Sequence, residues 1–167
     1  VDVVQPATGL VSYTQGFGAG QLNPDGDGFT GSANMAPFGG ISGYFGSTAG
    51  LVGVFLTDDI PAANPSAPLD FSGNGFGTEF TTLAPGLGQV FHIGNGQTTG
   101  GTLQSFQAPA GETRFAIGIA DAFAARGNPG FYDDNDGGFE ITLNIVPEPA
   151  AMSVFALGGL MFMRRGR

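Results

Sequence analysis

Apolar and polar residues alternate most cleanly near the end of the chain. Phe139, Ile141, Leu143 and Ile145 fall on one side of an extended segment, with Glu140, Thr142 and Asn144 on the other. A period of two marks a half-buried strand. A second alternating run, Arg114–Ala120, carries Phe115, Ile117 and Ile119. From Gly50 to Thr57 the residues are almost continuously apolar, which predicts a central strand covered on both faces. Weaker runs predict strands within Leu10–Thr14, Thr78–Leu83, Gln89–Ile93 and Thr102–Gln107, and Asp2–Val4 reads as a segment pairing at an edge. Gly, Pro, Asn and Asp cluster between these runs, at 16–28, 36–46, 58–77, 94–101 and 126–138. The loop Asp58–Gly77, with Pro61, Pro65 and Pro68, reads as an ordered surface excursion or a flexible linker. No repeat of fixed period occurs. About eight short strands joined by turn-rich loops predict an all-β fold, an antiparallel β-sandwich of jelly-roll type.

The pattern changes at Val146. Pro147-Glu148-Pro149 cannot extend a strand, so the folded domain is expected to span 1–146 and a tail 147–167. Ala150–Met163 is uncharged and suits one apolar helix, and Arg164, Arg165 and Arg167 favour the cytoplasmic side of a membrane. Such a helix covers roughly 21 Å, short of the ~30 Å hydrocarbon core. It can seat in a bilayer or dock on other protein subunits. The order of these parts resembles the PEP-CTERM sorting signal of exported bacterial proteins. That resemblance implies handling by an exosortase-type membrane protease and a periplasmic or cell-surface location. The protein would be membrane-associated through the tail, or secreted if the tail is cleaved. Val1 in place of Met fits a leader already removed.

Composition narrows the chemistry. The 31 glycines imply turns and short strands, while 16 Phe supply core material. There is no cysteine, hence no disulfide, thiolate zinc site or cysteine nucleophile. There is no lysine, and 1–146 holds 13 acids against Arg114 and Arg126, a net charge of −11. Such a body repels nucleic acid, which needs cationic contacts to phosphate. It suits a divalent cation.

Asp133-Asp134-Asn135-Asp136-Gly137-Gly138 precedes the alternating final strand. Calcium takes about six to eight oxygens from carboxylates, amides and backbone carbonyls, and a tight Gly-rich loop offers all three. A solvated turn is the plainer reading of the same residues. The order Pro109–Arg114, a strand ending at Ala120-Asp121, then Pro129-Gly-Phe-Tyr-Asp-Asp-Asn-Asp-Gly-Gly-Phe139 resembles the PA-I-type calcium-dependent galactophilic lectins and related galactose-binding-like jelly rolls. Gly50–Phe55 and Gly88–Gly94 fit the same pattern. The resemblance implies Ca²⁺ held by Asp121, the Phe131 carbonyl, Asp134 and Asn135, with a further carbonyl near Phe17–Gly18. Asp133 and Asp136 are weaker ligand candidates, because they stand where the lectin pattern has small or neutral residues. The stretch from Asp121 to Phe131 is also longer than in those lectins. Calcium tolerates both departures more readily than carbohydrate recognition does.

Other candidates carry less. Asn23-Pro-Asp25-Gly-Asp27-Gly28 spaces oxygens like the start of an EF-hand, but its twelfth position is Asn34 and no helices flank it, so a turn is favoured. His92, the only histidine, is expected on a sheet face, satisfied by a neighbouring loop. Asp58-Asp59 reads as a solvated turn, and Glu79, Glu112 and Glu140 stand singly. Gly16–Gly20 lacks the lysine of a phosphate loop. No catalytic set emerges, and the sign of one would be a cleft uniting two carboxylates with His92. The chain thus reads as a non-enzymatic exported envelope protein, a calcium-stabilised sandwich serving an extracellular or membrane assembly. A calcium-dependent carbohydrate-binding module is the alternative.

Overall fold

The computed structural model describes residues 1–13, 21–27, 33–59, 61, 65–122 and 126–146. Their regular structure is all-β, apart from a single 3-10 turn at Tyr132–Asp134. Strand β1 (Asp2–Ser12) pairs antiparallel with the last strand, β11 (Asp136–Asn144), from Asp2 opposite Asn144 to Ser12 opposite Asp136. The segments expected separately at 2–4 and 10–14 therefore share one strand as far as Ser12. Its register slips between Val3 and Gln5 and again between Gln5 and Thr8, the second slip spanning Pro6. Proline has no N–H to give the ladder, and a bulge absorbs the defect. Val3, Ala7 and Val11 still face inward and are buried. Gly9 sits at φ +104, where a Cβ would run into the Gly138 carbonyl oxygen, so no side chain fits there. Strands β8 (Ser105–Phe106) and β6 (Thr82–Leu83) extend this sheet in the order β11-β1-β8-β6.

A second sheet runs β10 (Arg126–Gly127), β2 (Ala33–Met35), β3 (Tyr44–Gly46), β5 (Leu69–Asp70). The third has β4 (Leu51–Leu56) between β7 (Val90–His92) and β9 (Arg114–Ile119), both antiparallel to it. The apolar run at 51–56 is thus central, as its composition predicts. Alternation also holds in β11, where Phe139, Ile141 and Leu143 are half-buried between exposed neighbours. Ile145 lies past the strand end and is 73% exposed, and Ile117 in β9 is 49% exposed.

Two expectations are corrected. Two of the three sheets are mixed, because β6 runs parallel to β8, β10 to β2, and β5 to β3. Each parallel pair spans two residues and is reached through a long connection, which leaves strand direction free in a way a tight hairpin does not. Segments expected as loops also carry β3, β5 and β10, which are too short to show a period. The Pro-rich excursion even contributes Phe71 to the core, fully buried.

All three sheets meet in one apolar cluster that includes Val3, Tyr44, Phe55, Phe71, Phe91, Ile93 and Phe106. The Phe55 and Phe91 ring centroids are 5.2 Å apart, and those of Phe91 and Phe106 are 4.9 Å apart. A Cβ on Gly53 would stand 2.7 Å from the Phe115 ring and 2.9 Å from that of Phe91, so glycine lets the rings close over β4. Among the described residues no helix is long and apolar enough to cross a membrane. Pro147, Glu148, Pro149, Arg164, Arg165 and the apolar segment between them lie outside the described residues, as do Phe17 and Gly18.

Candidate functional site

Strand β9 ends against β4. The Ala120 carbonyl accepts from the Ala49 N–H at 2.8 Å, and the Ala120 N–H donates to Gly50 at 3.0 Å. Asp121 follows immediately and is buried, 2% exposed. The chain then returns, pinned where the Gly130 N–H donates to the Asp121 carbonyl at 3.2 Å. Phe131 adopts φ +68, a left-handed turn that starts the 3-10 turn, and its carbonyl accepts from the Asp134 N–H at 3.3 Å. Asn135 is extended and leads into β11.

These steps bring Asp121, Asp134 and Asn135 together. Among the described residues, the buried side-chain atoms lacking any hydrogen-bond partner are Asp121 Oδ2, Asp134 Oδ1 and both amide atoms of Asn135. Burial raises the Asp121 carboxyl above its ordinary range, and the charge of Asp134 raises it further, while Asn135 and the Ala122 N–H act the other way. The Asn135 amide thus lies near enough to favour the ionised carboxylate, yet neither of its atoms meets hydrogen-bond geometry. Burial, then the charge of Asp121, raises the Tyr132 phenol. Unpaired buried polar atoms cost roughly 1–3 kcal/mol each; a cation would satisfy the three oxygens among them together, while the Asn135 Nδ2 donor would still need an acceptor.

The donor chemistry fits a hard cation. Two carboxylates and an amide oxygen are calcium ligands, and a backbone carbonyl such as that of Phe131 is another kind that calcium takes. Among the described residues no three His, Cys, Asp or Glu side chains gather to hold a metal, so any ion here depends on amide and backbone oxygens as well. Asp133 and Asp136 are exposed, and Asp136 Oδ1 accepts from the Gly137 N–H at 2.8 Å. They stand outside the buried set.

The remaining candidates divide. Asn23–Gly26 forms a turn, closed by Gly26 N–H to the Asn23 carbonyl at 2.9 Å and by Asp25 N–H to Asn23 Oδ1 at 3.0 Å. Asp58 pairs with Arg114 at 3.6 Å, both exposed, an interaction worth little. His92 is buried, with Nδ1 3.1 Å from the Tyr44 hydroxyl, so a strand rather than a loop satisfies that nitrogen. Burial lowers its pKa to about 4, so the ring is neutral at physiological pH. Glu79 does not stand alone. It lines a cleft of about 360 Å³ together with Asp25 and His92, the arrangement named above as a sign of catalysis. In that cleft the Asn95 N–H donates to Asp25 Oδ1, and Thr99 donates to the Glu79 carboxylate.

Fold and site together define an all-β protein with a buried oxygen-donor cluster suited to a hard cation. No protein-family model matches the chain, and no curated protein or solved structure matches it either.

Proposed function

We propose that this chain is a non-enzymatic, exported cell-envelope protein whose jelly-roll-type sandwich is stabilised by one calcium ion and whose apolar C-terminal segment docks it to a membrane or assembly. The observation that carries the calcium reading is the set of three orphaned, buried oxygens, one each on Asp121, Asp134 and Asn135. Those side chains, with the Phe131 carbonyl, would hold the ion. Bound there, calcium supplies positive charge that neutralises two carboxylates. With the ion bound, Asp121, Asp134 and Asn135 would join the end of β9 to the start of β11. The sandwich reading is supported by one core shared among all three sheets. Export and docking rest on the Pro-Glu-Pro, apolar and arginine order of residues 147–167. The orphaned atoms are closed to solvent, which favours an ion enclosed for structure over one presenting open positions to sugar hydroxyls.

Calorimetric titration of chelator-treated full-length protein with CaCl₂ tests the first half. One saturable site is expected, lost in Asp121→Asn and Asp134→Ala. Absence of binding heat at several temperatures overturns it. Removal of residues 147–167 should release the protein from membrane or partner fractions, and unchanged association overturns the docking half.

A further inference from the structure

A second site lies apart from the cation cluster and shares no residue with it. The cleft of about 360 Å³ lies between the Asn23–Asp27 turn, the segment at Thr78–Glu79 and the hairpin 95–104. Of its eleven lining residues only Ile93 is apolar. The walls are fixed by their own bonds. Asp25 Oδ1 accepts from the Asn95 N–H at 2.8 Å. The Glu79 carboxylate accepts from the Thr99 N–H at 3.1 Å and from its hydroxyl at 2.6 Å. Gln104 Nε2 donates to the carbonyls of Thr78 and Phe80 at 2.9 and 2.8 Å.

His92 lines this cleft, with Nε2 beside Asp25 Oδ1. The Tyr44 phenol is kept protonated by burial and receives a hydrogen bond from the Ser47 backbone. Its hydroxyl lies 3.1 Å from His92 Nδ1, and in the tautomer in which the phenol donates, that nitrogen accepts. The neutral ring then carries its proton on Nε2. A Cβ on Gly94 would stand 2.5 Å from that nitrogen and 2.6 Å from Asp25 Oδ1, so the two atoms are about 5 Å apart at most. The bare glycine leaves the space beside them open.

The lining decides the ligand class. Anions meet Asp25 and Glu79 with no Lys or Arg among the lining residues. A metal ion would compete with bonds that already hold the carboxylates, from the Asn95 N–H to Asp25 and from Thr99 to Glu79. Flat aromatic ligands find no stacking ring other than the imidazole, and apolar ones find only Ile93. A hydroxyl, by contrast, both gives and takes a proton, and suits a site that pairs carboxylate acceptors with N–H donors. The volume is at the small end of ligand pockets, of about 300–1,000 Å³. We propose that this cleft binds a neutral polyhydroxylated ligand, a mono- or disaccharide-sized unit, through Asp25, Glu79 and His92, independently of calcium.

Amide-resolved NMR titration of the full chain tests this, with glucose, galactose, mannose, N-acetylglucosamine, cellobiose and sorbitol as probes and spermidine as a cationic control. Saturable shifts at Asn95–Gln104 with at least one polyol are expected, and they should persist in EDTA. Asp25→Asn should weaken that binding roughly ten-fold or more, since a charged acceptor is lost. Gln97→Ala, a milder change in the wall, should weaken it less. If the metal-free protein unfolds, the Asp25→Asn comparison in calcium decides. No shift with any polyol, shifts with spermidine alone, or unchanged affinity in Asp25→Asn overturns the proposal. Binding that vanishes in EDTA while the protein stays folded, and that ignores Asp25→Asn, moves the sugar to the ion instead.

Discussion

Replacing Asp134 with alanine should change stability with opposite sign in calcium and in EDTA. Without metal, Asp134 Oδ1 is buried with no partner, and its charge disfavours ionisation of the neighbouring Asp121. Removing it relieves an orphaned atom, worth roughly 1–3 kcal/mol, partly offset by lost packing. The EDTA form of the variant should therefore melt at or slightly above the parent. With calcium the balance reverses, because the variant loses a ligand. Calcium at about a hundred times its dissociation constant stabilises the parent by about 2.7 kcal/mol. At about 2–4 °C per kcal/mol for a chain of this size, the parent Tm should rise roughly 5–11 °C on adding calcium. The variant should rise by less than a third of that. Scanning calorimetry of both proteins at pH 7, in 1 mM CaCl₂ and in EDTA, reads all four values. Equal melting temperatures of the parent in the two buffers refute the reasoning, and so does a variant that responds to calcium as the parent does.

Other outcomes follow from the same geometry. The Asp121 carboxyl is raised on folding, so in EDTA its contribution is fully present below the unfolded carboxylate value and is lost as pH rises through the folded one; Asp121→Asn should flatten that part of the Tm–pH curve, and an unchanged curve counts against the burial argument. His92 acts oppositely. Its folded value of about 4 lies below the ordinary 6.5, so the unfolded chain takes the proton first and stability falls as pH drops between them, by about 3 kcal/mol at most; equilibrium denaturation of His92→Gln across this range should lose that slope. Tyr44→Phe strips His92 Nδ1 of its partner and should cost roughly 1–3 kcal/mol by urea unfolding. Gly53→Ala should cost a similar ~1–3 kcal/mol, because the new methyl meets the Phe115 and Phe91 rings; a neutral result would mean that the rings yield.

The long strands are legible in the chain because each carries its own period. Leu51–Leu56 reads as buried from composition, and Phe139–Leu143 reads as half-buried from alternation. Strands of two or three residues have no period to read. Phe71 shows the consequence, since prolines around it signal a surface loop while tertiary packing places its ring in the core. On the candidate site the difference is similar. Asp134 and Asn135 announce themselves as neighbours in an acidic run, and Asp121 through the strand it ends. Asp133 and Asp136 belong to the same run but face solvent, because the 3-10 turn and the entry into β11 rotate successive residues apart. Asp25, Glu79 and His92 are distant in sequence and meet only where the hairpin 95–104 folds between them. No spacing rule could have joined them, although the unusual run of amides and threonines at Asn95–Gln104 is a trace of the wall they share.

The pairing of β1 with β11 sets an order of events. Gln5 Nε2 donates to Thr142 Oγ1 across 137 positions of sequence, and no nearer strand replaces that partner along most of β1. Closing so long a loop is entropically expensive and comes late. A ribosome must release the chain past Asn144 before the first strand finds its mate. Until then β1 offers an open edge. The acidic turn at Tyr132–Asp134 emerges immediately before β11, so an ion captured there would organise the clasp at the moment the N-terminal strand can first use it.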